Sequence, residues 1–90
     1  MLLERRCTTV EIVSVAAYVL IQTEVGQAAQ VASAIRKLPG VTVADDVTGP
    51  YDVVVRTESE SMDNLGRMVV GKIQLIEGIT RTVTCPVVNL

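Results

Sequence analysis

Hydrophobic and polar residues along the chain follow periods that predict alternating strands and helices. The segment from Ala17 to Glu24 is rich in apolar residues. In an extended backbone, Val19 and Ile21 share one face. Tyr18 and Leu20 share the opposite face. Apolar side chains on both faces are typical of a central strand, so we expect this segment to have neighbours on both sides.

A helix is predicted next, from Gln27 to Leu38, because its apolar residues recur every three or four positions. Pro39 disfavours helical dihedral angles in the residue before it, and Gly40 offers an exit from the helix. The helix should therefore end at Leu38. The apolar positions on its inner face are Ala28, Val31, Ala32, Ile35 and Leu38.

Two strands joined by a tight turn follow, over Val41 to Thr48 and Tyr51 to Glu58. The connection Thr48-Gly49-Pro50-Tyr51 contains glycine, which accepts positive φ, and proline, which lacks the N–H that a strand ladder needs. The hairpin brings Tyr51 and Asp52 to its bend. This bend is the most evident candidate for a site.

The second helix is predicted to begin near Ser61, a suitable N-cap, and to run to Ile76 with apolar residues three or four positions apart. Gly66 and Gly71 weaken it, because each costs up to about 1 kcal/mol relative to alanine. We therefore expect tertiary contact, such as close approach of another backbone, to hold this helix.

A last strand, Ile79 to Cys85, alternates apolar residues with threonine, and the complete order is βαββαβ. A glycine followed by a strand comes after each helix, at Gly40 and at Gly78, which is a faint internal repeat. This order predicts an α+β fold of the ferredoxin-like plan, in which both helices cover one face of a four-stranded antiparallel sheet.

The opposite face of that sheet would be bare. Tyr18, Leu20, Val54 and the threonines of the last strand would lie on it or beside it. A domain of 90 residues without a disulfide or a metal is marginal as a monomer. Burial of this face against a second copy is therefore favoured, and we expect at least a dimer.

The first fifteen residues show no clean period, so we assign 1–15 to an N-terminal extension and 16–90 to a single domain. The apolar run from Ile12 to Ile21 is shorter than the roughly 20 residues of a membrane-spanning helix. Its second half is better interpreted as a strand. Neither a signal peptide nor a membrane span is predicted, and we expect a cytoplasmic protein.

Composition narrows the classes of function. The formal net charge is −2 and the eight basic residues are scattered, so no patch for a phosphate backbone is evident. Phe and Trp are absent, which removes the usual platforms for stacking bases. Direct nucleic-acid binding is therefore not expected. Cys7 and Cys85 lack metal-ligand spacing and there is no histidine, so we predict no metal site, no cofactor and no enzymatic activity.

The polar residues that could carry chemistry are few. Asp45 and Asp46 are adjacent in a strand and point to opposite faces, so they cannot readily act as one acid/base pair. Asp52, beside the turn, could accept from a cationic amine or make a turn-stabilising Asx hydrogen bond, and both interpretations stay open. Tyr51 fits a pocket wall or an ordinary cross-strand contact. Cys85 is typical of a small buried apolar residue rather than a nucleophile.

Four motifs in combination carry a family resemblance: AYVLI from Ala17, LPGV from Leu38, VTGPYDV from Val47 and GITRTVT from Gly78. Together they resemble the effector-binding domain of the Lrp/AsnC transcriptional regulators, over about residues 17–90. Members of that family carry a helix-turn-helix domain ahead of this module. Here about fifteen residues precede the first strand, so the resemblance implies a stand-alone form that lacks the helix-turn-helix domain.

The resemblance also implies an assembly and a site. Family members form dimers of the dimeric αβ-barrel type, which associate into octameric rings and bind small amino acids near the glycine-x-tyrosine-aspartate turn. By this resemblance Gly49, Tyr51 and Asp52 would line the pocket, with Thr82 and Thr84 as weaker candidates. Gly49 would let backbone amides approach the effector carboxylate. Asp52 would stabilise the effector ammonium.

Three interpretations of function stay open. The first is an amino-acid-sensing and oligomerisation domain that assists transcription regulation, including by co-assembly with full-length Lrp/AsnC regulators. The second is a small enzyme of the dimeric αβ-barrel type, similar to monooxygenases, against which the absence of histidine counts. The third is a purely structural oligomerisation module. Titration with amino acids would separate them, and the identity of the effector is not encoded in these residues alone.

Overall fold

Strands and helices alternate along residues 15–88, which are the residues that the computed structural model describes. The second helix, α2, occupies residues 62–73 and is built in three parts. The other elements are β1 (Val15–Thr23), α1 (Ala28–Arg36), β2 (Val41–Asp46), β3 (Val53–Ser59) and β4 (Ile79–Pro86). The predicted βαββαβ order is confirmed. The predicted extension over 1–15 lies outside the described residues except for Val15, which begins β1.

The four strands form one antiparallel sheet in the order β2-β3-β1-β4. β1 pairs with β3 on one side and with β4 on the other, so the predicted central strand is confirmed. Val19 lies between Val55 of β3 and Thr84 of β4. Such an arrangement of strands, with a helix connecting each outer strand to an inner one, is the ferredoxin-like plan.

The core lies on one face of the sheet, where both helices pack. Apolar side chains from alternate positions of β1 and β3 are fully buried there, since alternate residues of a strand share a face. Thr57 is the buried polar residue of this face, and its hydroxyl donates to the carbonyl of Ala17 at 3.2 Å. The buried apolar residues are Ala17, Val19, Ile21, Val31, Ala32, Ile35, Ala44, Val53, Val55, Leu65, Val69 and Ile73.

The opposite face of the sheet has no helix on it among the described residues. Leu20 lies between Val54 and Val83 in the register, and all three are half-buried apolar residues. Tyr18, two residues earlier in β1, is 42% exposed. This surface, formed by Tyr18, Leu20, Val54 and Val83, is called the open face below.

The threonines of β4 do not belong to the open face, contrary to the prediction. Thr82 pairs with Ile21 and Thr84 pairs with Val19. Residues directly opposite in an antiparallel pair project to the same side, so both threonines project to the side of the helices. Cys85, expected as a buried residue, is exposed and pairs with Tyr18, which places it on the open face of an edge strand.

Helix α2 is α-helical over Met62–Asn64, π-helical over Leu65–Val70 and α-helical again over Gly71–Ile73. The predicted N-cap is confirmed, because the hydroxyl of Ser61 accepts from the backbone N–H of Asn64 at 3.1 Å. The widened turn is closed by the N–H of Gly71, which donates to the carbonyl of Gly66, five residues back.

The expected close approach of another backbone to the glycines of α2 is wrong. A Cβ on Gly66 would meet nothing within 4 Å, and one on Gly71 would lie 3.5 Å from the carbonyl oxygen of Gly66 itself. The helix is held instead by its buried apolar face.

The internal repeat is visible in the structure as a reciprocal contact. Gly40 follows α1 and lies against Val69 of α2, whereas Gly78 follows α2 and lies against Val31 of α1. Both glycines have positive φ, +89° and +99°. Each glycine carbonyl accepts a backbone hydrogen bond at 2.8 Å, that of Gly40 from Glu58 and that of Gly78 from the residue that follows β1. The two halves of the chain therefore interlock through equivalent positions.

Candidate functional site

The connection between β2 and β3 is a closed turn over residues 47–52, called turn 47–52 below. The backbone N–H of Val47 donates to the carbonyl of Asp52 at 2.8 Å. Gly49 has φ of +133°, which side chains rarely tolerate, and a Cβ built there would meet nothing within 4 Å. Glycine is required at this position by the backbone conformation rather than by a neighbour. The space above Gly49 is open to a small molecule.

Asp52 joins this turn to the end of β1. Its Oδ2 accepts from the backbone N–H of Thr23 at 2.8 Å, and its own N–H donates to the carbonyl of Ile21 at 2.8 Å. The carboxylate therefore takes the place that a backbone carbonyl would occupy in a continued ladder. Among the described residues, the hydrogen bond to this carboxylate uses Oδ2 alone. The bond crosses between strands, whereas an Asx turn would be local.

Gln22 is a residue of this region that sequence reasoning missed. Its side-chain amide donates from Nε2 to the carbonyl of Pro50 at 3.0 Å, so the side chain reaches from β1 to the middle of turn 47–52. Its backbone carbonyl accepts from the hydroxyl of Thr80 at 3.2 Å. A polar side chain at the end of an otherwise apolar strand is the only signal in the sequence, and such residues are commonly just solvated.

The structure brings three of the five predicted site residues together and keeps two apart. Gly49, half-buried Tyr51 and Asp52 share turn 47–52. Thr82 and Thr84 lie on β4, on the far side of β1 from β3. Two strand spacings amount to roughly 10 Å, so these threonines do not line the same small pocket within one chain.

Thr82 instead borders a separate cavity at the start of β4. The cavity has a volume of about 240 Å³ and is lined by the end of α2 and by β4. Thr82 is half-buried, whereas Thr84 is exposed. The lining residues are Gln74, Ile79, Thr80, Arg81 and Thr82.

Two other charged residues of the sheet, Arg56 and Asp46, have charged partners. The guanidinium of Arg56 lies 2.8 Å from the carboxylate of Glu58 and 5.6 Å from the ring centroid of Tyr18, as a cation-π contact on the open face. Asp46 lies 3.9 Å from Arg36, and both side chains are half exposed. Within residues 15–88, no group of three side chains of the metal-binding types lies together. No helix of this part of the chain is long and apolar enough to cross a membrane.

The sequence of this chain is similar to those of known proteins. The family model of the Lrp/AsnC ligand binding domain matches residues 16–89. An uncharacterised HTH-type transcriptional regulator of Pyrococcus abyssi is 34% identical over 55 residues, which cover 61% of this chain and 37% of that regulator. The chain thus matches little more than a third of the length of this curated relative.

Solved structures show the same fold. A crystal structure of a protein from Thermus thermophilus is 32% identical, with a TM-score of 0.78 over 84% of this chain and 95% of that one. A transcriptional regulator of Neisseria meningitidis, solved as a complex with L-Met, has a TM-score of 0.75 at 16% identity, over 97% of this chain and 59% of that one. At that identity the likeness concerns the fold alone. From the family match over residues 16–89 and the sheet that carries turn 47–52, we conclude that this chain belongs to the Lrp/AsnC ligand-binding domain family.

Proposed function

We propose that this domain binds a free amino acid or a similar small effector at turn 47–52, and that it assembles with itself through the open face of its sheet. The observation that carries the proposal is the pairing, within one turn, of a half-buried carboxylate and an unobstructed backbone. Asp52 has one carboxylate oxygen engaged by Thr23, and Gly49, in the same turn, has open space where a Cβ would stand.

The chemistry of this turn suits a zwitterion. A carboxylate that is partly withdrawn from water attracts an ammonium group more strongly than a fully solvated one does. A glycine without a neighbouring side chain lets a ligand carboxylate approach the backbone N–H groups of the turn. Tyr51 would contact the side chain of the effector. The L-Met complex of the Neisseria regulator supports an amino acid as the ligand class.

The location of the turn favours a site shared between subunits. Thr82 and Thr84 lie two strands away from it within one chain, so they can approach a bound effector only if a second copy presents them. A dimer, or a ring of dimers, would provide that arrangement. Binding and assembly would then be linked, because an effector held between subunits stabilises the assembled form.

The relation to transcription regulation is proposed from the relatives. The matched curated relative is a transcriptional regulator. We propose that this domain assists such regulation by sensing its effector and by co-assembling with full-length Lrp/AsnC regulators, without contacting DNA through residues 15–88 itself. The net charge of −2 supports the absence of a DNA contact from this proposal, because binding to phosphates requires positive charge.

Calorimetric titration of the purified protein with each of the twenty standard L-amino acids tests the proposal. We expect at least one to bind, and Asp52→Ala to weaken that binding by about tenfold or more, since a charged hydrogen bond contributes about 1.5–3 kcal/mol. Asp63→Ala is the matched control, because Asp63 is an exposed carboxylate in the first turn of α2, beyond the end of β3 that is opposite to the turn. Absence of binding by all twenty, or equal loss in both variants, would contradict the proposal.

A further inference from the structure

The end of β1 contacts turn 47–52 through side chains as well as backbone. Two bonds join Asp52 of the turn to the main chain of β1: the carboxylate of Asp52 accepts from the N–H of Thr23, and the N–H of Asp52 donates to the carbonyl of Ile21. A third bond runs the other way, from the side chain of Gln22 to the carbonyl of Pro50. The turn is therefore held to β1 at Pro50, within its glycine-proline bend, and at Asp52, after the bend.

The same few residues of β1 are also tied to the start of β4. The carbonyl of Gln22 accepts from the hydroxyl of Thr80 at 3.2 Å, and the N–H of Glu24 donates to the carbonyl of Gly78 at 2.8 Å. The β1–β4 register shifts between Gln22 and Thr23, which marks a local bulge. The C-terminal end of β1 is thus hydrogen-bonded to the start of β4 on one side and to turn 47–52 on the other.

We propose that Gln22 is a positioning residue for the effector turn, and that Asp52 divides its carboxylate between two roles, with Oδ2 holding Thr23 and Oδ1 facing the effector ammonium. This assignment rests on the proposed function for the role of Oδ1. The roles of Gln22 and of Oδ2 do not depend on it, because they concern the shape of the turn in the free protein.

The physical reason lies in the conformational freedom of the glycine in the turn. Gly49, with φ of +133°, has no side chain, and a Cβ built on it would meet nothing within 4 Å, so no packing contact on that side restrains it. Glycine loses more conformational freedom on ordering than any other residue. If the turn is already ordered in the free protein, effector binding does not incur this loss of conformational entropy. The bonds from Gln22 and Thr23 supply that order from a strand whose inner face is fully buried.

Two conservative substitutions separate the roles. Asp52→Asn keeps an oxygen that can accept from Thr23 but removes the negative charge, whereas Asp52→Ala removes both. Gln22→Glu keeps the length of the side chain, but its carboxylate cannot donate to the carbonyl of Pro50. Gln30→Ala, an exposed glutamine of α1, serves as the control for Gln22.

The experiment combines amide hydrogen exchange by NMR on the free protein with titration by the twenty standard L-amino acids. In Asp52→Asn we expect the Thr23 amide to stay protected within about threefold, and in Asp52→Ala to exchange about tenfold faster or more, because its hydrogen bond is lost. Both variants should bind about tenfold more weakly or worse, because each removes the charge. Gln22→Ala and Gln22→Glu should shift the Gly49 amide resonance and weaken binding about fivefold, while Gln30→Ala changes neither.

Two results would overturn the assignment. One is loss of Thr23 protection in Asp52→Asn as large as in Asp52→Ala, and the other is an unchanged Gly49 resonance in both Gln22 variants. If the wild-type protein binds none of the amino acids, the proposed function fails, and the Thr23 and Gly49 measurements still decide whether Asp52 and Gln22 hold the turn. Wild-type binding together with unchanged affinity in Asp52→Asn would contradict the role of Oδ1 alone.

Discussion

Glycines with positive φ occur at four described positions, and their surroundings differ. Gly26 and Gly49 have open space where a Cβ would stand, whereas Gly40 and Gly78 face side chains of the opposite helix. All four require glycine for the backbone, because other residues strain at these dihedral angles. At Gly40 and Gly78 the packing adds a second requirement. These two glycines are therefore fold determinants.

Substitution of Gly40 should be far more costly than substitution of Gly26. A Cβ on Gly40 would lie 2.9 Å from Cγ2 of Val69 and 3.2 Å from the carbonyl oxygen of Glu58. We expect Gly40→Ala to lower the free energy of unfolding by about 3 kcal/mol or more, from strain and overpacking together. Gly26→Ala should introduce backbone strain alone, and we expect it to lower the free energy of unfolding by about 1–2 kcal/mol. Urea denaturation at one protein concentration measures both, and equal losses would show that the contact with Val69 relaxes without cost.

Helix α2 illustrates how an element can form from a sequence with weak propensity. Ser61 caps its N-terminus, and the side chains of Leu65 and Ile73 are buried. A π-helical stretch lies between two short α-helical parts. Burial of large apolar side chains contributes more than the propensity that the glycines forfeit. The helix therefore depends on its cap and its buried face.

Alanine at Gly66 should stabilise the protein. Gly66 is exposed and lies within α2, and a Cβ there would meet nothing within 4 Å. Alanine reduces the freedom of the unfolded chain, so we expect Gly66→Ala to raise the free energy of unfolding by about 0.4–1 kcal/mol. Thermal melting followed by circular dichroism measures the change. A decrease would mean that the π-helical turn needs glycine for its own geometry.

Removal of the cap should have the opposite effect. The hydroxyl of Ser61 accepts from the N–H of Asn64, so Ser61→Ala leaves that donor without its partner in the first turn. We expect a loss of about 1 kcal/mol in the free energy of unfolding. Ser33→Ala, at an exposed position inside α1, is the matched control and should cost nothing, since alanine is the better helix former. Equal effects at both positions would argue against the cap.

At the scale of the whole molecule, the sheet has one covered face and one open face. Leu20, Val54 and Val83 adjoin one another at the centre of the open face, beside the Tyr18–Arg56 contact. A contiguous apolar surface of this kind typically marks an interaction site. A second copy of the chain is the occupant that we propose.

A charge at the centre of the open face should therefore dissociate the assembly. We expect Leu20→Lys to raise the dissociation constant of the dimer about 30-fold or more, because an unpaired charge would be buried at the interface. Val25→Lys is the control, since Val25 is fully exposed in the β1–α1 connection. Sedimentation velocity over a range of concentrations measures both. A wild-type protein that stays monomeric throughout, or a Leu20→Lys protein that dimerises as the wild type does, would contradict the proposal.

The sequence by itself determined the elements and their order, because the information is local. Alternation in β1, three-and-four spacing in α1 and the serine cap of α2 each depend on residues a few positions apart. The turn containing Gly49 was predictable for the same reason, although β3 begins at Val53 rather than at Tyr51.

Only the tertiary structure decided which distant residues meet. The register of β4 placed Thr82 and Thr84 on the side of the helices, two strands from the turn, and this register is defined by the pairing of β4 with β1, which is distant in the chain. The bond from Asp52 to Thr23 spans 29 residues, and that from Gln22 to Pro50 spans 28. Such contacts form because a backbone group at a strand end needs a partner once the ladder stops, and folding alone determines which side chain is near enough to provide it.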